Sequence, residues 1–166
     1  MKGKGLRSFI EEVKQIPGVV DASSMRYDVK APTGFGGLNW PSQKPGEEIQ
    51  FGNLEVHYGL LELFQYKLKE GRTFSREFSS EDSKIIFNES AVAAMGLNDP
   101  IGKTISLYGK DCEIIGVAKD FHFESLHKKV KPCFFKLTSD TFPIAWNVVV
   151  KIKAGIINPL KSLRSE

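Results

Sequence analysis

The sequence predicts an α+β domain of mixed β-sheets with short helices, arranged as two lobes. Three observations carry that prediction. Apolar residues alternate or cluster in short segments bounded by Gly, Pro and Asn, the pattern of strands. Helical periodicity is confined to brief stretches. The chain also opens with helix then strand and closes with strand then helix, so its ends are expected to pack together as one lobe, about 1–29 and 144–166. The centre, about 48–137, reads as a β-rich second lobe, with residues 30–47 a loop between them. All 166 residues are thus expected to form one domain, long enough to bury most of its unfolded surface.

Taken in order, Leu6 to Ile16 places Leu6, Phe9, Ile10, Val13 and Ile16 at helical spacing on one face. Pro17-Gly18 stops that helix, and Val19 to Met25 reads as a strand. Residues 30–47 carry four glycines and three prolines, and predict a long loop or ragged hairpin. Phe35, Leu38 and Trp40 within it have two open readings. All three are partner-contact candidates, exposed to meet another protein, or else Trp40 and Phe35 fold back as plugs over the sheet. Glu48 to His57 alternates as a strand with Gly52 a bulge, and Tyr58 to Phe64 is a short helix. Gln65 to Leu68 is extended, Glu70 to Phe74 turns, and Ser75 to Ser83 is a polar lead-in.

Lys84 to Leu137 is the densest stretch. Ile85, Ile86 and Phe87 form a buried strand, Asn88 caps a helix over Ser90 to Met95, and Gly96 with Pro100 ends it. Thr104 to Tyr108 and Cys112 to Ala118 form a hairpin around Gly109-Lys110-Asp111. Asp120 caps a helical turn before Pro132, and Cys133 to Leu137 is a strand again. After the loop Thr138 to Pro143, Trp146 to Ile152 alternates as a strand. Asn158-Pro159 then opens a helix that ends after about two turns. That short helix and the opening Met1 to Gly5, which resembles an expression-vector start, read as the ends of a fragment of a larger protein.

Composition and motifs exclude more than they propose. Charge is 23 basic against 20 acidic with the signs interspersed, so nucleic acid is not an expected partner. No apolar run approaches the roughly 18 residues of a membrane span. Cys112 and Cys133, both in expected strands, read by default as two buried thiols rather than one bridge. His122 and His127 are five apart, and neither they nor His57 joins a Cys or carboxylate cluster, so no metal or other cofactor is expected. Gly102-Lys103-Thr104 resembles the end of a phosphate loop, but Leu97 stands where its first glycine belongs and a strand follows. No G-x-S-x-G elbow is present. Asp120, His122 and Glu124 lie close in sequence, yet Asp120 reads as a cap, and Arg72 as an internal brace to backbone carbonyls or a carboxylate such as Asp120. No catalytic residue is assigned and the chain is not expected to be an enzyme.

Four segments, in order, resemble one family. Gly71-Arg72-Thr73-Phe74 looks like its GR-x-F turn, and Ile86-Phe87-Asn88-Glu89-Ser90-Ala91 its I-x-N-E-x-A junction. Gly96 to Lys103 matches G-x-x-x-P-I-G-K, and Ile115 to Phe123 matches I-G-V-x-K-D-F-x-F. Together they resemble the MacB-like periplasmic core domain of MacB/FtsX-type ABC transporter permeases. The resemblance implies a porter-like βαβ lobe beside a β-rich lobe, and an extracytoplasmic (periplasmic) place in a bacterial inner-membrane protein. It implies as partners the permease transmembrane helices, a cytoplasmic ATPase subunit, and a periplasmic partner protein or cargo to which ATP-driven motion is relayed. The matched positions are turns and caps, so no catalytic residues carry over. The alternative expectation is a freestanding extracytoplasmic binding or adaptor module for a hydrophobic peptide or lipid.

Overall fold

A computed structural model describes residues 5–26, 33–121, 130–138 and 147–155. The expected Trp146, His122, His127 and Glu124, the helical turn before Pro132 and the terminal helix lie outside them. The elements are α1 (Leu6–Lys14), β1 (Val19–Met25), β2 (Thr33–Phe35), β3 (Leu38–Asn39), β4 (Phe51–Val56), α2 (Leu60–Leu63) and β5 (Leu68–Gly71). A 3₁₀ turn (Glu81–Ser83) leads into β6 (Lys84–Asn88), followed by α3 (Glu89–Ala94), β7 (Thr104–Leu107), β8 (Lys110–Ala118), β9 (Cys133–Leu137) and β10 (Asn147–Ile152). The fold class is α+β.

One mixed sheet runs in the order β10-β1-β4-β9-β6-β8-β7-β3, with β2 added to β4 and β5 to β8. β4 is parallel to β9 and β6 to β8, while the other pairs are antiparallel. β1 and β10 pair along their length and meet the rest of the sheet through Met25 and Val56. Both faces of the central strands are covered, which is why β6 and β8 read as continuous apolar runs rather than alternating ones. Ile85, Phe87, Ile114 and Phe134 pack under α3, whereas Ile86, Ile115 and Phe135 pack on the opposite side with α2. α1 lays Ile10 and Val13 on Ala22 of β1.

Local chemistry accounts for most element boundaries. Asn88 accepts a hydrogen bond from the Ala91 amide at 3.0 Å, capping α3 as expected. Gly96 ends it with φ of 62°. Several details differ from the sequence reading. β5 begins at Leu68 and runs through Gly71, into the expected Glu70–Phe74 turn, because pairing with β8 extends it, while Gln65 holds a left-handed φ of 58° rather than opening the extended segment. The hairpin turn is Tyr108-Gly109, because both adopt left-handed φ (53° and 74°) as a two-residue turn of the favoured twist requires, and Lys110 already pairs with Leu107. Gly52 sits in regular register with Gly34 and Cys133, so it is not a bulge. Phe9 is 40 % exposed, because Ile10 and Val13 centre the buried stripe of α1 and leave it on the flank. Residues 33–35 and 38–39 are strands that pair outward, with β4 and β7 respectively, rather than a loop or a hairpin with each other.

Candidate functional site

The motif residues converge on two polar joints. The first is the start of α3. Asn88 is fully buried and its side-chain oxygen accepts from the amides of both Ala91 (3.0 Å) and Cys133 (2.9 Å), while its amide donates to the Lys131 carbonyl (3.0 Å). One side chain therefore fixes both the helix start and the entry to β9. Asp120 adds a second fastening, accepting from the Ser90 amide (2.9 Å) and hydroxyl (2.6 Å), while its own amide donates to Glu89 (3.2 Å). Asp120 thus caps α3. The sequence reading assigned its cap to the turn that follows it, since local spacing cannot reveal a helix 30 residues upstream. Glu89 is held below its usual carboxylate range, first by its hydrogen bond from Lys69 and then by the Asp120 amide.

The second joint lies where β5 crosses β8. Gly71 pairs with Gly116, and a Cβ on Gly71 would stand 2.2 Å from the Ile115 carbonyl oxygen. A Cβ on Gly116 would stand 2.5 Å from the Arg72 carbonyl oxygen. Only paired glycines permit this approach, and Gly71 in addition needs its φ of 78°. The chain then leaves through Arg72, whose guanidinium grips Glu81 in a bidentate pair (2.7 and 3.1 Å) and donates to the Thr73 carbonyl (3.0 Å). The Glu81 side chain is 1 % exposed and also accepts from the Ser75 amide (3.1 Å). Arg72 is the internal brace the sequence implies, but its carboxylate is Glu81 rather than Asp120. Its guanidinium also lies 3.9 Å over the centre of the Phe78 ring.

The partner-contact candidates need correction. Leu38 and Trp40 are buried at 4 % and 6 % exposure within the core under α3, and Trp40 meets Phe51 edge-on at 6.2 Å. They are plugs, because pairing of β3 with β7 brings this segment back across the sheet. The Trp40 indole N–H finds no hydrogen-bond acceptor among the described residues. Burying such a ring is worth roughly 4 to 6 kcal/mol by area, more than the about 1 to 3 kcal/mol an orphaned donor costs, so burial wins. The backbone of Phe35 forms part of β2, and its side chain lies outside the described residues.

No group of His, Cys, Asp and Glu among the described residues could hold a metal. Cys112 and Cys133 are both buried free thiols. They belong to clusters on opposite faces of the sheet, with β6 between their strands, so they cannot bridge. Burial pushes the Cys133 thiol well above its ordinary range. It likewise raises Tyr66 to about 12, where the ring stacks against Phe121 at 4.1 Å. His57 is buried and meets Tyr58 edge-on at 5.6 Å. No helix among the described residues is long and apolar enough to cross a membrane.

What remains exposed is elsewhere. Tyr108 at the β7–β8 turn is 74 % exposed, and Phe78, in the loop closed by Arg72 and Glu81, is 50 % exposed. Sequence reading passed over Phe78 because it sits in a polar stretch with no periodicity. Its one signal was an aromatic between Glu77 and Ser79, where nothing local calls for one.

A long mixed sheet with short helices, fastened at two joints by Asn88, Asp120, Arg72 and the Gly71–Gly116 pair, is the frame that the motif residues build. The chain belongs to the MacB-like periplasmic core domain family, whose model matches residues 5–155. It is similar in fold to the periplasmic region of MacB from Actinobacillus actinomycetemcomitans (TM-score 0.64, 15 % identity, covering 98 % of this chain and 71 % of that one). It is also similar to the extracellular domain of the noncanonic ABC-type transporter YknZ from Gram-positive bacteria (0.61, 17 %, 92 % and 74 %). A domain of a putative permease protein from Porphyromonas gingivalis aligns comparably (0.65, 17 %, 92 % and 69 %). No curated protein sequence matches the chain.

Proposed function

We propose that this chain is the non-catalytic extracytoplasmic domain of a MacB/FtsX-type ABC transporter permease in a bacterial inner membrane. In this reading the domain is held by the permease's transmembrane helices and relays motion driven by a cytoplasmic ATPase subunit to a cargo or partner protein. The observation that carries it is the family match over residues 5–155. The two joints support it. Asn88 and Asp120 tie α3 to the segments around β9 and β8, the Gly71–Gly116 pair seats β5 closely on β8, and Arg72 locks the chain leaving β5 onto Glu81, as suits a part that must move as a stiff body. Asp120 and Arg72, the chain's most enzyme-like side chains, are each committed to a separate structural partner.

The test of location uses the parent protein in intact cells. Tyr108→Cys, at an exposed turn, should react with a membrane-impermeant maleimide added outside cells whose outer barrier has been opened. Labelling only after lysis of the inner membrane would overturn the assignment. The mechanical role predicts that Arg72→Ala, which loosens the second joint, lowers export more than it lowers ATP hydrolysis by the transporter. Equal loss of both would point to a role in assembly instead.

A further inference from the structure

α1, β1 and β10 form a layer with a small apolar cluster of its own, built on Ile10, Val13 and Ala22. Neither polar joint reaches it. Its ties to the rest of the sheet gather at one end. Met25 pairs with Val56, the His57 amide donates to the Ser24 carbonyl (2.9 Å), and the Arg26 amide donates to the Glu55 carbonyl (3.0 Å). The Ser23 hydroxyl donates to the Tyr58 carbonyl (2.9 Å), Arg26 pairs with Glu55 at 2.7 Å, and Met25 and Val149 pack into the core on the α2 side. The chain also crosses here, since β1 ends at Met25 and β10 begins at Asn147 opposite it. Toward the other end of these strands burial falls away, and Val20 and Ile152 are 52 % and 44 % exposed. A layer pinned at one end of its strands can swing about that end.

Such a swing acts on a cleft of about 280 Å³. Ile10, Glu11 and Lys14 of α1 line one side, Glu62 of α2 with Phe74 and Arg76 line the other, and His57 and Tyr58 line it from the pinned end. Its carboxylates and its lysine and arginine balance, two of each sign, with one of each on either side. That balance suits two walls meeting each other better than it suits a charged ligand. In the structure the two sides do not pair. Arg76 is exposed, lies 4.2 Å over the Tyr58 ring and makes no ion pair among the described residues. Glu11 meets Lys14 at 3.8 Å, and Lys14 is nearer to Asp21 at 3.2 Å. Glu62 accepts from the Thr73 hydroxyl. An exposed ion pair shifts an equilibrium by about two- to fivefold, a bias small enough for movement of the domain's supports to reverse.

We propose that the α1–β1–β10 layer is hinged where Met25 and Arg26 meet Val56 and His57, and that closing it toward α2 joins Glu11 to Arg76 as a latch. The hinge belongs to this chain alone and goes beyond the proposed function, since it needs neither a partner nor an ATPase to be seen.

The test places spin labels on this chain at Gln15→Cys and Ser79→Cys, both exposed, while Cys112 and Cys133 are buried and stay unlabelled. Electron–electron distances are expected to fall in two populations, the shorter one growing as salt is lowered, because exposed charges are screened at high salt. Glu11→Gln and Arg76→Gln should each cut the shorter population by about two- to fivefold, and the swap of Glu11→Arg with Arg76→Glu should restore it. Both positions are exposed, so the melting temperature should stay that of the parent. A single population that salt does not move overturns the proposal, as does a shorter population that ignores Glu11→Gln and Arg76→Gln or is not restored by the swap. Maleimide labelling at position 108 reads location and not this motion, so either idea can fail while the other stands.

Discussion

Two loop regions of this molecule use aromatic residues in opposite ways. Trp40 follows a two-residue strand at one end of the sheet and is buried at 6 % exposure, while Phe78 follows β5 and is 50 % exposed. Both stand among polar and turn-forming neighbours, so composition does not separate them. The difference lies in what each loop is fastened to. β3 is tied to β7, which returns Trp40 across the sheet onto Phe51. The Thr73–Ser80 loop is fastened to its own ends by Arg72 and Glu81, so its aromatic stays outside. A loop's anchor, more than its residues, decides whether it feeds the core or the surface.

Substitutions can break that comparison. The largest effect is expected from Trp40→Ala, a loss of about 4 kcal/mol by chemical denaturation; a cost below about 1 kcal/mol would return Trp40 to the surface. Asn88→Ala should lose about 3 kcal/mol, because three hydrogen bonds, two of them buried, depend on one side chain. A loss of only about 1 kcal/mol would mean that the cap alone matters. Arg72→Ala should cost about 2 kcal/mol by leaving the Glu81 carboxylate buried without its partner, scaled down because Arg72 is partly exposed. Faster amide exchange across residues 73–80 should accompany it, and unchanged exchange there would show that the loop closes without the pair. Phe78→Ser should stay within about 0.5 kcal/mol of the parent, and a larger loss would make Phe78 a second plug.

The smallest effect concerns pH. Glu89 has its folded value lowered from 4.5, so its contribution is complete above that value and fades as pH falls through the lower folded one. The melting-temperature gap between the parent and Glu89→Gln should therefore be open near neutral pH and close on the acid side. Glu89 is about a third exposed, which keeps the gap small. A gap that widened with acid would reverse the sign of the Lys69–Glu89 interaction.

The chain itself determined the short strands, the Asn88 cap, the Gly96 stop and the order of four turn-and-cap motifs. Each depends on residues within a few positions of one another, where backbone preference and side-chain capping act. The buried character of Cys112 and Cys133 was legible for the same reason, since apolar strand runs announce it. Tertiary structure alone decided that Arg72 holds Glu81, that Asp120 caps a helix 30 residues upstream, and that Gly71 and Gly116 must both lack a side chain. It also decided which aromatic faces solvent. Those outcomes arise where strands far apart in sequence pair in one sheet, and no local periodicity encodes which distant strand will be the neighbour.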